Sequence, residues 1–257
     1  MTSPSPAAAR TRPGALRQFH QPATPGLPTL VIFPHAGAGA SSYRALSGLL
    51  SQRFTVLIMQ YPGRQDRMRE AAPTSLGDLA QEALDEFRGG DHASGPVAAF
   101  GHSLGGTVAF EFARRAEAVG IPVARLVASA SAAPSQIADL PRQPEDEEGI
   151  LANLQALEGT GGAVLGSDAV LKMALPVMRG DYRAFNAYSC APDVRITAPI
   201  VVIGGADDPA IKPHQLHHWG THSDRVQVSV VDGSHFYLNE KPETVLDALT
   251  CDVAGAR

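Results

Sequence analysis

A chain of 257 residues with 44% apolar side chains has the length and the core-forming material for one large α/β domain. A formal charge of −5, with no run of Lys or Arg, leaves no footprint for nucleic acid and no polybasic anchor for a membrane surface. The two cysteines, Cys190 and Cys251, stand far apart and outside metal-ligand spacing, which fits a reducing cytoplasm better than a disulfide-stapled secreted domain.

From the N-terminus, residues 1–26 are rich in Pro, Ala, Ser and Thr. They lack the apolar run of a signal peptide and any stretch of bilayer-spanning length, so they read as a flexible leader to a domain of residues 27–257. The first strand is expected at Thr29–Phe33. The loop after it, Pro34-His35-Ala36-Gly37-Ala38-Gly39-Ala40, is made of small residues that let a backbone amide approach a substrate closely, and the N–H of Ala36 is the candidate. A second strand follows at Thr55–Met59, then a helix from Leu76 to Phe87.

The next strand, Val97–Phe100, runs into Gly101-His102-Ser103-Leu104-Gly105-Gly106 and a helical stretch to Val119. Glycines two residues either side of a serine let a strand turn abruptly into a helix, with the serine hydroxyl projected above the sheet edge as a nucleophile. Ser103 therefore names the reaction class. The N–H of Leu104, directly after it, is the second expected oxyanion donor. His102 points another way on so sharp a turn and reads as a packing residue.

A strand at Leu126–Ala130 precedes an irregular, Pro-rich and acidic region, residues 134–192, that leads into helix-like stretches without a strand. As an insertion at the sheet edge that carries Ser103, it is expected to cover the site as a lid. Strands resume at Ile200–Ile203 and Val226–Val231, with a last helix from Pro242 to Leu249. Most of these runs are apolar on both faces, as in a doubly wound, mostly parallel sheet covered by helices.

A serine hydroxyl is a weak nucleophile and needs a base oriented by a carboxylate, in this fold class in the chain order Ser, Asp or Glu, His. Of the nine histidines, His235 follows the last strand in Asp232-Gly233-Ser234-His235-Phe236 and is the candidate base. The loop after Ile203 offers Asp207 and Asp208, and Asp208, three residues after the turn glycine Gly205, is the preferred acid; the alternative position after Ala130 carries no carboxylate. His214, His217, His218 and His222 have no acidic or Cys partner at ligand spacing and read as a polar face beside Trp219 rather than as a metal site.

Phe33–Gly37, Tyr61-Pro62-Gly63-Arg64-Gln65-Asp66-Arg67, Gly101–Gly106, Arg179-Gly180-Asp181-Tyr182-Arg183-Ala184 and Gly233–Leu238 together resemble the type II thioesterases of polyketide and non-ribosomal peptide synthesis, from about Leu27 to Leu249. Ala187–Cys190 and Phe236–Asn239 are also similar to the mycobacterial branch linked to lipid synthesis. The departures are Gly233-Ser234 where Gly-Gly is often seen and Leu104 where Met is frequent.

The resemblance implies an α/β-hydrolase fold with a helical lid, over an acyl pocket and a passage for the pantetheine arm. It implies hydrolysis of acyl thioesters on the phosphopantetheine of acyl or peptidyl carrier proteins, with Ser103, Asp208 and His235 as catalytic residues. No metal and no cofactor of the enzyme's own is expected. Arg64, Arg67 and Arg69 read either as a solvated loop or as a surface steering an acidic carrier protein. Fold and triad alone leave open an esterase acting on oxygen esters, or a receptor that keeps the pocket without catalysis.

Overall fold

The computed structural model describes residues 14–90, 92, 95–158 and 168–253. Seven strands form one sheet: β1 (Leu16–Arg17), β2 (Thr29–Phe33), β3 (Thr55–Met59), β4 (Val97–His102), β5 (Val123–Ser129), β6 (Ile200–Gly205) and β7 (Val226–Val231), in the order β1-β3-β2-β4-β5-β6-β7. All neighbours pair in parallel except β1, which runs antiparallel to β3 with Leu16 opposite Met59.

Strands β2, β3, β4 and β6, and β5 from Leu126 onward, are buried on both faces, which is why they read as unbroken apolar runs; β5 carries the exposed Ala124 and half-buried Arg125 near its start, and β7, at the edge, is half-buried throughout except for the exposed Val230. Successive side chains point to opposite faces. Val31, Phe33, Leu57 and Met59 thus join the layer of α2 (Leu76–Gly89) and α3 (Leu104–Ala118), packing with Phe87, Phe110 and Phe112. Leu30, Ile32, Val56 and Ile58 face α1 (Arg44–Leu50) and α6 (Glu243–Thr250), with Leu46, Leu50, Val245 and Leu249.

Of the flexible leader expected over residues 1–26, residues 1–13 lie outside the described residues, and the part from Gly14 onward is not free: Ala15 is buried, the Leu16 N–H donates to Glu86, and β1 covers the edge of β3. Two residues carry no periodicity, so β1 left no mark in the sequence. Helix α1 was equally hidden, at seven residues too short for two full turns of pattern.

The irregular region after β5 is helical: a 3₁₀ segment at Pro134–Asp139, then α4 (Glu147–Glu158) and α5 (Asp168–Asn186). Residues 159–167 between the two helices lie outside the described residues. Ile150, Leu154, Leu175, Met178 and Tyr182 form a small core of their own, and Ala36 packs against it from below. The insertion therefore sits directly on the loop after β2.

Candidate active site

Strands β2 and β4 are neighbours whose onward connections leave in opposite directions, to β3 and to β5. Such a switch point opens a crevice at the carboxyl ends of both strands. Phe33, the last residue of β2, pairs with Gly101, so the loop after β2 and the turn after β4 stand side by side.

Ser103 occupies that turn with φ 55° and ψ −124°, a conformation disfavoured for a residue with a Cβ and costing on the order of 1–3 kcal/mol. The surroundings impose it. A Cβ on Gly105 would overlap the carbonyl oxygen of Phe33, and one on Gly101 would overlap that of Gly105, so only glycine lets α3 start this close to the sheet. The Ser103 N–H donates to the Ser129 carbonyl at 2.8 Å, tying the turn to the end of β5.

Asp208 follows β6 and is fully buried. Its Oδ1 accepts from the N–H groups of Ala210 (2.8 Å) and Ile211 (3.1 Å), and its Oδ2 accepts from His235 Nδ1 at 2.8 Å. That bond sets the His235 tautomer, leaving Nε2 without a proton and able to accept one. Nε2 is buried and has no hydrogen-bond partner among the described residues. His235 and Ser103 line the same cavity. Asp207, the other carboxylate considered, is exposed and uses its N–H to hold the Gly233 carbonyl, so the two acids divide into one facing the histidine and one fastening its loop.

Two more imidazoles surround the pair. His102 is fully buried 5.2 Å from the His235 ring, its Nδ1 in a chain with Ser129 Oγ (2.8 Å) and Tyr237 Oη (2.6 Å). Burial, reinforced by His235, holds its pKa well below the usual histidine value, which fits the packing role expected of it. His35 Nδ1 meets Tyr43 Oη at 2.7 Å, and burial together with His235 and Arg64 lowers its pKa to about 3. Both stay neutral near pH 7, so neither adds a positive charge beside His235.

The loop from Pro34 to Ala40 is pinned along its length. Tyr61 Oη donates to the Pro34 carbonyl, the His35 N–H to Tyr43 Oη, the Gly37 N–H to Asp181 Oδ2, Arg64 Nη1 to the Ala38 carbonyl, and the Ala40 N–H to Gln60 Oε1. Ala36 sits in the middle of these anchors and lines the cavity with Leu104, whose N–H lies in the first turn of α3, where backbone donors lack intrahelical acceptors. The cavity measures about 270 Å³; Leu154, Leu157, Met178, Tyr182 and Phe185 of the insertion roof it, over Ser103, Leu104, His235 and Phe236. Its roof is mostly apolar, with a polar cluster in which Asn153 Nδ2 donates to Tyr182 Oη and Gln143 Oε1. Ser234 Oγ donates to the Leu157 carbonyl, fastening the lid to the loop of His235.

Two expectations need correction. Arg64 and Arg67 belong neither to a solvated loop nor to a docking surface: they are 6% and 1% exposed, Arg64 paired with Asp181 and Arg67 with Glu70 and Glu82. Buried guanidinium groups persist only with such partners. Arg69 alone of the three is exposed. Among the four clustered histidines, His222 is a buried pin, bonded to the Val194 carbonyl and Ser135, while His214, His217 and His218 are exposed on a 3₁₀ segment, Pro213–Thr221. Asp181 was missed as a site residue; it lies 117 positions from Arg64, and no local pattern announces a pairing at that distance.

A mostly parallel sheet with a serine on the turn after β4, an aspartate after β6 and a histidine after β7 defines an α/β-hydrolase. Within that class, the thioesterase domain family matches residues 28–251, and the chain belongs to that family. It is 36% identical to thioesterase PikA5 of Streptomyces venezuelae, over 88% of this chain and 80% of that one. It is 40% identical to part of the phenyloxazoline synthase MbtB of Mycobacterium tuberculosis, covering 87% of this chain; it spans 16% of that synthase's length. Among solved structures, the type II thioesterase BorB from the borrelidin biosynthetic cluster superposes with a TM-score of 0.81 at 37% identity, over 91% of this chain and 96% of that one.

Proposed function

We propose that this protein is a serine thioesterase that hydrolyses acyl groups from the phosphopantetheine arm of acyl or peptidyl carrier proteins, in the cytoplasm, clearing stalled or misprimed chains from a polyketide, peptide or lipid synthase. The observation that carries this reading is His235, bonded to the buried Asp208, sharing an apolar, lidded cavity with the strained Ser103, in a chain of the thioesterase family. The cavity suits an acyl chain, and no helix among the described residues is long and apolar enough to cross a membrane.

In this mechanism Ser103 Oγ attacks the thioester carbonyl while its proton passes to His235 Nε2. Asp208 stabilises the imidazolium, and the N–H groups of Ala36 and Leu104 hold the oxyanion. The C–S bond breaks and the pantetheine thiol leaves, taking the proton. Because a thiolate leaves more readily than an alkoxide or amine, the greater demand on His235 comes in deacylation, where it activates the water that cleaves the acyl-serine. Side chains and backbone amides supply each role, so the reading calls on no metal and no cofactor beyond the substrate's own pantetheine.

The test is release of free acid from a short acyl-phosphopantetheinyl carrier protein, compared with the same acyl group on a p-nitrophenyl ester, for wild type and Ser103→Ala. Faster turnover of the carrier substrate, abolished by Ser103→Ala, is expected. Preference for the oxygen ester would replace the reading with an esterase, and absence of Ser103-dependent turnover of either would leave a binding protein.

A further inference from the structure

Asp181, on the lid helix α5, is a buried charge outside the Asp208–His235 pair. It is 1% exposed, and its carboxylate ties the helix to two other segments, the loop of Gly37 and the loop of Arg64. Its Oδ1 accepts from Arg64 Nη2 at 2.6 Å, and its Oδ2 accepts from Arg64 Nη1 at 2.9 Å and from the Gly37 N–H at 2.7 Å. Arg64 continues the connection, with Nη1 on the Ala38 carbonyl at 3.0 Å and Nε on the Pro62 carbonyl at 3.3 Å. Gly37 has φ 79°, a conformation that side chains rarely adopt, and Met178 of the same lid helix lies against it. The peptide joining Ala36 to Gly37 is thus held by a carboxylate that belongs to the lid and is itself held by a planar, two-pronged guanidinium.

We propose that Arg64 and Asp181 are positioning residues for acyl transfer: Asp181, locked by Arg64, holds the Gly37 N–H and thereby aims the neighbouring Ala36 N–H into the cavity, so that the oxyanion site is complete only while α5 is seated. The inference rests on the serine-thioesterase reading above. A guanidinium–carboxylate fork suits this task, because two parallel bonds fix the orientation of the carboxylate as well as its distance. It also makes the roof of the acyl cavity and the stabilisation of the transition state a single mechanical unit. Neither residue touches the reacting atoms. Their effect passes through one backbone amide.

The experiment measures kcat, KM and the inhibition constant of a trifluoromethyl ketone analogue of the acyl-pantetheine thioester for wild type, Asp181→Ala, Asp181→Asn and the double variant Arg64→Met/Asp181→Leu. The double variant leaves no unpaired buried charge, and apolar replacement of a buried pair is often neutral for stability, so it carries the test where Asp181→Ala does not fold. Loss of one oxyanion donor lowers kcat by about 10²–10³-fold, and a decrease of that order is expected for Asp181→Ala and the double variant, with KM within about threefold. The inhibition constant, which reads tetrahedral oxyanion binding, should rise in parallel with the fall in kcat/KM. Asp181→Asn keeps an acceptor for Gly37 and should recover at least tenfold of the loss in kcat.

A folded double variant with wild-type kcat overturns the proposal. So does a loss expressed in KM alone with an unchanged inhibition constant, which would mark the pair as shaping the acyl pocket. A wild-type protein without Ser103-dependent thioester turnover would instead refute the underlying functional reading.

Discussion

Asp208→Asn separates geometry from charge at the site. The asparagine Oδ1 can keep the two bonds from Ala210 and Ile211, but its NH₂ takes the place of Oδ2 opposite His235 Nδ1, where a donor now meets a donor. The imidazole resolves this by moving its proton to Nε2, and in that tautomer it cannot accept the proton of Ser103. The same change in a Ser-His-Asp protease costs about 10⁴ in kcat, which at about 1.4 kcal/mol per tenfold is about 5.5 kcal/mol of transition-state stabilisation. Stability should change by less than about 1 kcal/mol, because both backbone bonds survive. Asp208→Ala, by contrast, strands two buried N–H groups at about 1–3 kcal/mol each. The assay is thiol release from an acyl-pantetheine thioester beside a thermal melt of both variants. An Asp208→Asn enzyme within tenfold of wild-type kcat would refute the assignment of Asp208 as the orienting acid.

Gly105→Ala would drive a methyl group into the Phe33 carbonyl, separating α3 from β2; overpacking costs about 1–3 kcal/mol, and a melt should show it together with reduced turnover, whereas an unchanged melt would contradict the close approach described here. Histidines 35 and 102 predict the acid limb of stability. Their folded pKa values are depressed, so their contribution is fully present above about pH 6.5; below it the unfolded chain takes up protons that the folded chain refuses. Each should lower stability by about 1.4 kcal/mol per pH unit as the pH falls below about 6. Urea unfolding of wild type and His102→Gln between pH 7 and 5 tests this: equal slopes for the two would show that His102 does not contribute.

How much was legible beforehand differs element by element. The central strands and helices α2, α3 and α6 were readable because a strand buried on both faces must be apolar throughout and a covering helix must carry its stripe. The Ser103 turn was readable because the close contacts at Gly101 and Gly105 tolerate nothing but glycine, and glycine leaves a visible spacing. His235 and Asp208 followed from their places after strands. Their carboxylate–imidazole bond joins residues 27 positions apart, and only the order of strands in the sheet brings β6 and β7 side by side.

What the sequence by itself determined is therefore whatever depends on local sterics and on burial with a short period: the strands, the glycine-bounded serine, and the chemical types available after each strand. The tertiary structure alone decided which charges meet. Arg64 reads as an exposed loop residue because charged side chains usually are, and it is buried here because Asp181, 117 positions away on the lid, neutralises it where Gly37 needs an acceptor. The cost of burying a charge depends on its partner, and that partner exists only once the chain has folded.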